Sequence, residues 1–161
     1  MNAPERKPVR MPPARSLSYD GDYYAWTQDQ GERLKAHRPE GLDWENLAEE
    51  VESFGRSQKR EIESSLTVLL AHLLKWEHQP TRRSGSWRAT IAELRDRIAR
   101  ELEDSPSLRG HPAGVLTAEY RLARMRAAAD MGIAPSELPE DCPYSAGEAL
   151  DPEFLPGSPE A

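Results

Sequence analysis

Apolar residues dominate the segment from 57 to 78 and recur there at helical spacing. Steps of three and four residues place six of them on one face, and Val68, Ala71 and Trp76 add apolar surface beside it. A helix that is apolar most of the way round is either surrounded by other helices or embedded in a membrane. The pattern therefore predicts a central helix built on Ile62, Leu66, Leu69, Leu70, Leu73 and Leu74.

Two further helices are predicted before the central one. The first begins at Asp20 or the residue before it and ends near Lys35, with acidic residues at its positive end. Asp43 is a good N-cap for a second helix over about 44–54. Gly55 is a natural helix terminator, so we expect it to separate this second helix from the central one.

Two helices are also predicted after the central one, over about 87–104 and 114–131, and Gly132 ends the last of them. In that last helix the apolar residues step alternately by three and four, which is typical of a heptad seam. The residues of the seam are Val115, Ala118, Leu122, Met125 and Ala129.

These elements predict an all-α protein, an up-and-down helical bundle of four to five helices over residues 19–132. No alternating strand pattern occurs. Prolines punctuate residues 133–156, and we expect apolar side chains such as Tyr144 to hold this segment against the bundle. Residues 1–18 are expected to be a disordered N-terminal arm, and residues 157–161 a disordered tail.

Composition narrows the class of protein. A length of 161 residues fits one domain with tails, and a single cysteine, Cys142, excludes an intramolecular disulfide. The uncharged run over 64–74 is far short of the roughly 20 residues that span a membrane. No secretory leader is visible, so we expect a cytoplasmic protein. The net charge of −7 argues against extensive binding of phosphate backbones but leaves a local basic patch open.

Several short motifs occur in order along the chain. They are 19–26 (YDGDYYAW), 42–50 (LDWENLAEE), 55–57 (GRS), 72–76 (HLLKW), Arg83-Ser84 with Trp87, 105–108 (SPSL) and 142–144 (CPY). With these motifs the chain resembles the bacterial domain-of-unknown-function family number twenty-nine over about 19–156. The resemblance implies an all-α, up-and-down bundle and assigns no activity, cofactor or catalytic residue.

Metal binding finds little support in the sequence. Helical bundles often hold metals through Glu-x-x-His pairs, whose two side chains share one helical face. No acidic residue lies three positions before any of the four histidines, which are His37, His72, His78 and His111. We therefore expect neither a metal site nor a cofactor.

His72 lies within the apolar central helix. Paired with a carboxylate such as Glu49 or Glu52, it could act as a general base. The alternative, which the apolar surroundings favour, is a core histidine whose ring nitrogens bond to neighbouring groups. The three residues form a candidate buried polar cluster, although the acidic run over 43–52 is more simply interpreted as a solvated helix face.

The basic loop over 82–88 is the best local candidate for ligand binding. Arginines, serine hydroxyls and the N–H groups at the next helix start would suit a phosphate, and the tryptophan could stack on a base. Alternatively, the tryptophan anchors the helix and the arginines pair with surplus carboxylates. The candidate residues are Arg82, Arg83, Ser84, Trp87 and Arg88.

The aromatic side chains Tyr19, Tyr23, Tyr24 and Trp26 either form an exposed patch for a partner or pack on the central helix.

No Gly-rich phosphate loop, nucleophile elbow or zinc-protease motif is present. We therefore expect a non-enzymatic interaction module that binds another protein or a second copy of itself. The alternative is a weak nucleic-acid or phosphate binder that uses the loop over 82–88.

Overall fold

Helices supply all the regular structure of residues 18–157, which are the residues that the computed structural model describes. The α-helices are α1 (Tyr23–Lys35), α2 (Trp44–His78), α3 (Gly85–Asp104), α4 (His111–Met131) and α5 (Ala146–Leu150). Short 3₁₀ helices lie at Pro80–Arg82, Pro106–Leu108 and Pro135–Glu137. No strand occurs within 18–157, so the all-α prediction is confirmed. The predicted arm, apart from Ser18, and the predicted tail, apart from Gly157, lie outside the described residues.

The expectation of two helices over 44–78 is wrong, because α2 continues without a break for 35 residues. Gly55 lies inside this helix. A Cβ placed there would meet nothing within 4 Å, so no neighbouring group forces a turn. A glycine in a helix interior costs about 1 kcal/mol relative to alanine but keeps its backbone hydrogen bonds, unlike proline. One glycine is therefore too weak a signal to end α2.

The start of α1 is fixed by a side-chain cap. The carboxylate of Asp22 accepts a hydrogen bond from the Ala25 amide at 3.1 Å. Just before it, the amides of Gly21 and Asp22 donate to the Ser18 carbonyl and form a turn. The helix consequently begins at Tyr23, about one turn later than predicted.

The other helix ends agree better with the sequence. The Ser84 hydroxyl caps α3 by accepting from the Trp87 amide. α4 begins at His111 rather than 114, and its first turn tolerates Pro112 because that turn needs no amide donor there. Gly132 ends α4 in the left-handed conformation, with φ of 70°, and that prediction is confirmed.

The chain divides into two compact units, Met1–Ser53 and Phe54–Ala161, and the division falls within α2. The N-terminal unit has a small polar centre. Trp26 is buried, and its indole Nε1 donates to the Asp43 carboxylate at 3.1 Å. The buried Gln30 side chain accepts from the Asp43 amide at 2.7 Å. Two side chains of α1 thus hold the residue that precedes α2.

The core of the C-terminal unit is built around the second part of α2. Every residue of the predicted central face is buried, which confirms that part of the expectation. Besides Ala71 of α2, helices α3 and α4 and the segment after α4 supply buried apolar side chains to this core. These are Ile91, Leu94, Ile98, Tyr120, Ala123, Ala127, Ala128, Leu138, Tyr144 and Ala149.

A buried arginine fastens the end of the chain to α3. The Arg95 guanidinium donates to the carbonyls of Ala149 at 2.8 Å, Pro152 at 3.4 Å and Phe154 at 2.8 Å. Burial lowers the pKa of this guanidinium. Since a buried cation needs hydrogen-bond partners, these carbonyls are what make its position stable.

None of the helices within 18–157 combines the length and the apolar content that a membrane span requires.

Candidate functional site

The main departure from the sequence pattern is on α4, where the predicted seam faces outward. Leu122 is 56% exposed and Met125 is 63% exposed, and Ala118 and Ala129 are exposed as well. We call these four residues the α4 stripe. Val115, the remaining seam residue, is partly buried against the core. The stripe is therefore a continuous apolar surface that residues 18–157 leave uncovered.

The opposite face of α4 packs into the core instead. Its buried residues are Pro112, Tyr120, Ala123, Ala127 and Ala128. At 100° per residue, this set and the stripe lie on nearly opposite sides of the helix. The Tyr120 hydroxyl donates to the Pro139 carbonyl at 2.7 Å, which satisfies its polar end inside the core. α4 is thus apolar on two sides, and only one of them is buried within the part of the chain that the structure describes.

Charged residues lie along both edges of the stripe. Glu119 and Arg126 lie on one edge of it, two turns apart, and Arg121 lies on the other edge. The Thr67 hydroxyl of α2 donates to the Glu119 carboxylate. Arg126 and Arg121 are exposed. One edge therefore carries both signs of charge and the other carries a positive charge.

The N-terminal unit exposes large apolar side chains of its own. Trp44 is 62% exposed and Val51 is 69% exposed, and the two lie on the same side of α2. On α1, Trp26 is buried, whereas Tyr23 and Tyr24 are exposed. This unit thus offers a second, less continuous apolar surface.

The loop over 82–88 is largely occupied by contacts within the chain. The Arg83 guanidinium donates to the Trp76 carbonyl at 2.9 Å and lies 5.2 Å from the centre of the Trp76 ring. Ser84 caps α3, and the half-buried Trp87 ring lies 5.3 Å below the Lys75 ammonium. Only Arg82 and Arg88 of the candidate residues extend into solvent.

The His72 ring is half-buried, and its Nδ1 lies 2.9 Å from the Val68 carbonyl. Because a carbonyl can only accept, His72 Nδ1 donates this hydrogen bond to Val68, which lies one turn earlier on α2. Burial is the main cause that lowers the pKa of His72, with a smaller contribution from Lys75 and Arg126, while the Val68 carbonyl and Asp130 oppose it. His72 has the position of a partly buried core histidine.

The carboxylates grouped with His72 do not have the buried position expected of them. Glu49 and Glu52 are both exposed on α2. Of the three residues of the candidate buried cluster, only His72 is partly buried.

Metal ligands are not assembled in the part of the chain that the structure describes. Within 18–157 no three His, Cys, Asp or Glu side chains come together as a metal site would require. His111 Nε2 lies 2.9 Å from Glu63 Oε1, which joins α4 to α2 as a pair.

The sequence did single out the residues of the stripe but not their role. A heptad seam is equally compatible with packing inside a bundle and with packing against another molecule. Charged neighbours at the seam edges, Glu119 and Arg126, were the available signal for the second outcome, because edge charges select partners.

The described residues thus form an all-α fold in which one apolar helix face is exposed. The family model described as "Domain of unknown function DUF29" matches residues 18–155, and the chain belongs to that family, as its motifs predicted. No curated protein and no solved structure matches the chain.

Proposed function

We propose that this protein is a non-enzymatic helical interaction module and that its principal contact surface is the α4 stripe. The observation that carries this is the continuous apolar face formed by Leu122 and Met125 with the alanines beside them. Scattered exposed apolar residues are ordinary, whereas a run over several turns of one helix is characteristic of helix–helix recognition.

The rest of the molecule supports this assignment. The opposite face of α4 packs into the core of the C-terminal unit, so the stripe lies outside that core. Trp44 and Val51 give the N-terminal unit further apolar contact area. Aromatic and methionine side chains are enriched at the centres of protein interfaces.

Photo-cross-linking tests this proposal. A photo-reactive amino acid is placed at Leu122 in one variant and at Thr117, an exposed α4 position off the stripe, in the matched control. Extracts of the source cells are then irradiated. The proposal predicts discrete adducts from position 122 that position 117 does not give, and their mass identifies the partner. Equal adduct patterns from the two positions would overturn it.

The phosphate-binding alternative has weaker support. Three of its five side chains, Arg83, Ser84 and Trp87, are engaged within the chain. It would depend on Arg82 and Arg88 near the start of α3. Removing both should abolish any retention on phosphocellulose, and that retention should fall steeply with salt if phosphate is bound.

A further inference from the structure

We infer that the α4 stripe binds the same stripe on a second copy of this chain, with the two helices antiparallel. This inference rests on the proposed function and names its partner. The spacing of the stripe, the charges on its edges and the two-fold symmetry of such a pair all favour this partner.

The spacing of the stripe suits a helix of the same kind. In heptad terms, Val115, Leu122 and Ala129 occupy a positions, and Ala118 and Met125 occupy d positions. Two such seams interlock when they supercoil gently, and an antiparallel pair sets each a residue against a d residue. Leu122 of one copy then packs against Met125 of the other, and the two-fold axis repeats the contact.

The edge charges select the antiparallel arrangement. Glu119 and Arg126 occupy e positions, and in an antiparallel pair e residues face e residues. When the antiparallel pair is centred on the contact between Leu122 and Met125, Glu119 of one copy lies opposite Arg126 of the second copy. Because the two-fold axis generates the same pair again, each dimer contains two pairs of opposite charge between Glu119 and Arg126.

The parallel arrangement is disfavoured by the same residues. In a parallel pair, g residues face e residues, which sets Arg121 against Arg126 of the second copy. Two symmetry-related contacts between arginines would then oppose association. The charge pattern therefore distinguishes one orientation from the other.

The contact should be reversible. From Val115 to Ala129 the seam is about 20 Å long, which places the interface at the small end of the range for specific complexes. Small alanines at half of the stripe positions allow close approach of the helices but contribute little area. We expect a dissociation constant of about 10–100 µM.

Charge reversal gives the decisive experiment. In Glu119→Arg both e residues are arginines, and in Arg126→Glu both are glutamates, so each variant alone has two repulsive pairs. We expect each reversal to weaken self-association about tenfold. An equal mixture of the two restores both complementary pairs and should form a heterodimer at least as tight as the wild-type dimer. Sedimentation equilibrium of each variant and of the mixture measures this.

Glu119→Arg also removes the hydrogen bond from Thr67 to Glu119, so a second pair of variants tests the stripe with that hydrogen bond intact. Leu122→Glu places charge in the middle of the stripe and should yield a monomer, whereas Thr117→Glu on the same helix should associate as wild type does. Circular dichroism checks that all variants remain helical. The inference would be overturned if the wild-type chain stayed monomeric at every concentration. It would also be overturned if the mixture of the two charge-reversed variants associated no more tightly than either variant alone. Cross-linking of position 122 to a different polypeptide would then leave the proposed function standing and reject only the second copy as partner.

Discussion

The ammonium group of Lys75 lies 2.9 Å from the carboxylate of Asp130 and joins α2 to α4. The Lys75 side chain is 10% exposed and that of Asp130 is 45% exposed, so a nearly buried cation reaches outward to its partner. The hydrogen bond from Lys75 is the largest of the causes that lower the pKa of Asp130 from its ordinary value of 3.8. This pair is one of the contacts that hold α4 against α2.

Asp130→Asn tests the pair. A carboxyl group whose pKa is lowered in the folded state contributes stability above its unfolded pKa, and that stability is lost as the pH falls through the folded value. We expect the variant to lose about 0.5–1 kcal/mol at pH 7, because partial exposure screens the pair. Below about pH 4 the deficit should shrink. Urea unfolding of the wild type and the variant across pH 3–7 measures this difference in stability. A difference that stays constant with pH would contradict a stabilising ion pair between Lys75 and Asp130.

Leu70→Ala tests the position of the core. Leu70 is fully buried in the second half of α2, so truncation should cost about 2–5 kcal/mol of unfolding free energy. The matched control is Leu122→Ala, the same change on the stripe, which should cost less than about 0.5 kcal/mol. Comparable losses from the two substitutions in urea would mean that the stripe is part of the core.

Gly55→Ala tests the continuity of α2. Alanine at an open interior helix position should raise the unfolding free energy by about 0.5–1 kcal/mol, because a Cβ there meets no neighbour. Gly132→Ala is the control. With φ of 70° the same substitution should instead lower stability by about 1 kcal/mol. If Gly55→Ala also destabilised the protein in thermal melts, a helix end at Gly55 would be indicated.

Two core tyrosines predict an alkaline limit to stability. Burial raises the pKa of Tyr120 to about 12. Burial, followed by a hydrogen bond to Glu77 at 2.5 Å, raises the pKa of Tyr144 well above its ordinary value. Since the folded state favours the neutral phenols, stability is complete below pH 10 and is lost as the pH rises from about 10 toward 12.

Tyr144→Phe and Tyr120→Phe should each flatten this alkaline loss, whereas Tyr24→Phe, at a residue that is 73% exposed, should leave it unchanged. Chemical unfolding at pH 9, 10 and 11 makes the comparison. An alkaline slope that is identical in all three variants would show that other groups cause the loss.

The buried face of α2 could be predicted because periodicity and residue size agreed there. From Ile62 to Leu74 the apolar side chains are large and continuous, and each of the six predicted is buried. The end predicted at Gly55 failed because a glycine lowers helix stability only modestly, and whether a helix stops there depends on the conformation its backbone adopts.

The orientation of α4 could not be predicted from hydrophobic size. The larger side chains, Leu122 and Met125, lie outside, and alanines such as Ala123 pack inside beside Tyr120. What decides the choice is tertiary: the Tyr120 hydroxyl finds an acceptor in the Pro139 carbonyl, which comes from the segment after α4. No local pattern encodes that contact.

The candidate site was predictable only as a pattern. The seam on α4 was visible in the sequence, but its partner was not, because the same spacing serves cores and interfaces. For His72 and the loop at Arg83, residue type suggested chemistry, and the side chains turned out to be held by backbone carbonyls of the same chain.

Oxidation of Met125 by hydroxyl radicals tests the central claim, that the outward face of α4 is an association surface, most directly. The wild-type chain is footprinted at concentrations from well below to well above the expected dissociation constant, with the partly buried Met131 as internal reference. If this face associates, Met125 oxidises readily in dilute protein and becomes protected as the protein concentration rises, while the oxidation of Met131 does not change. Oxidation of Met125 at one constant rate across the whole range would contradict it.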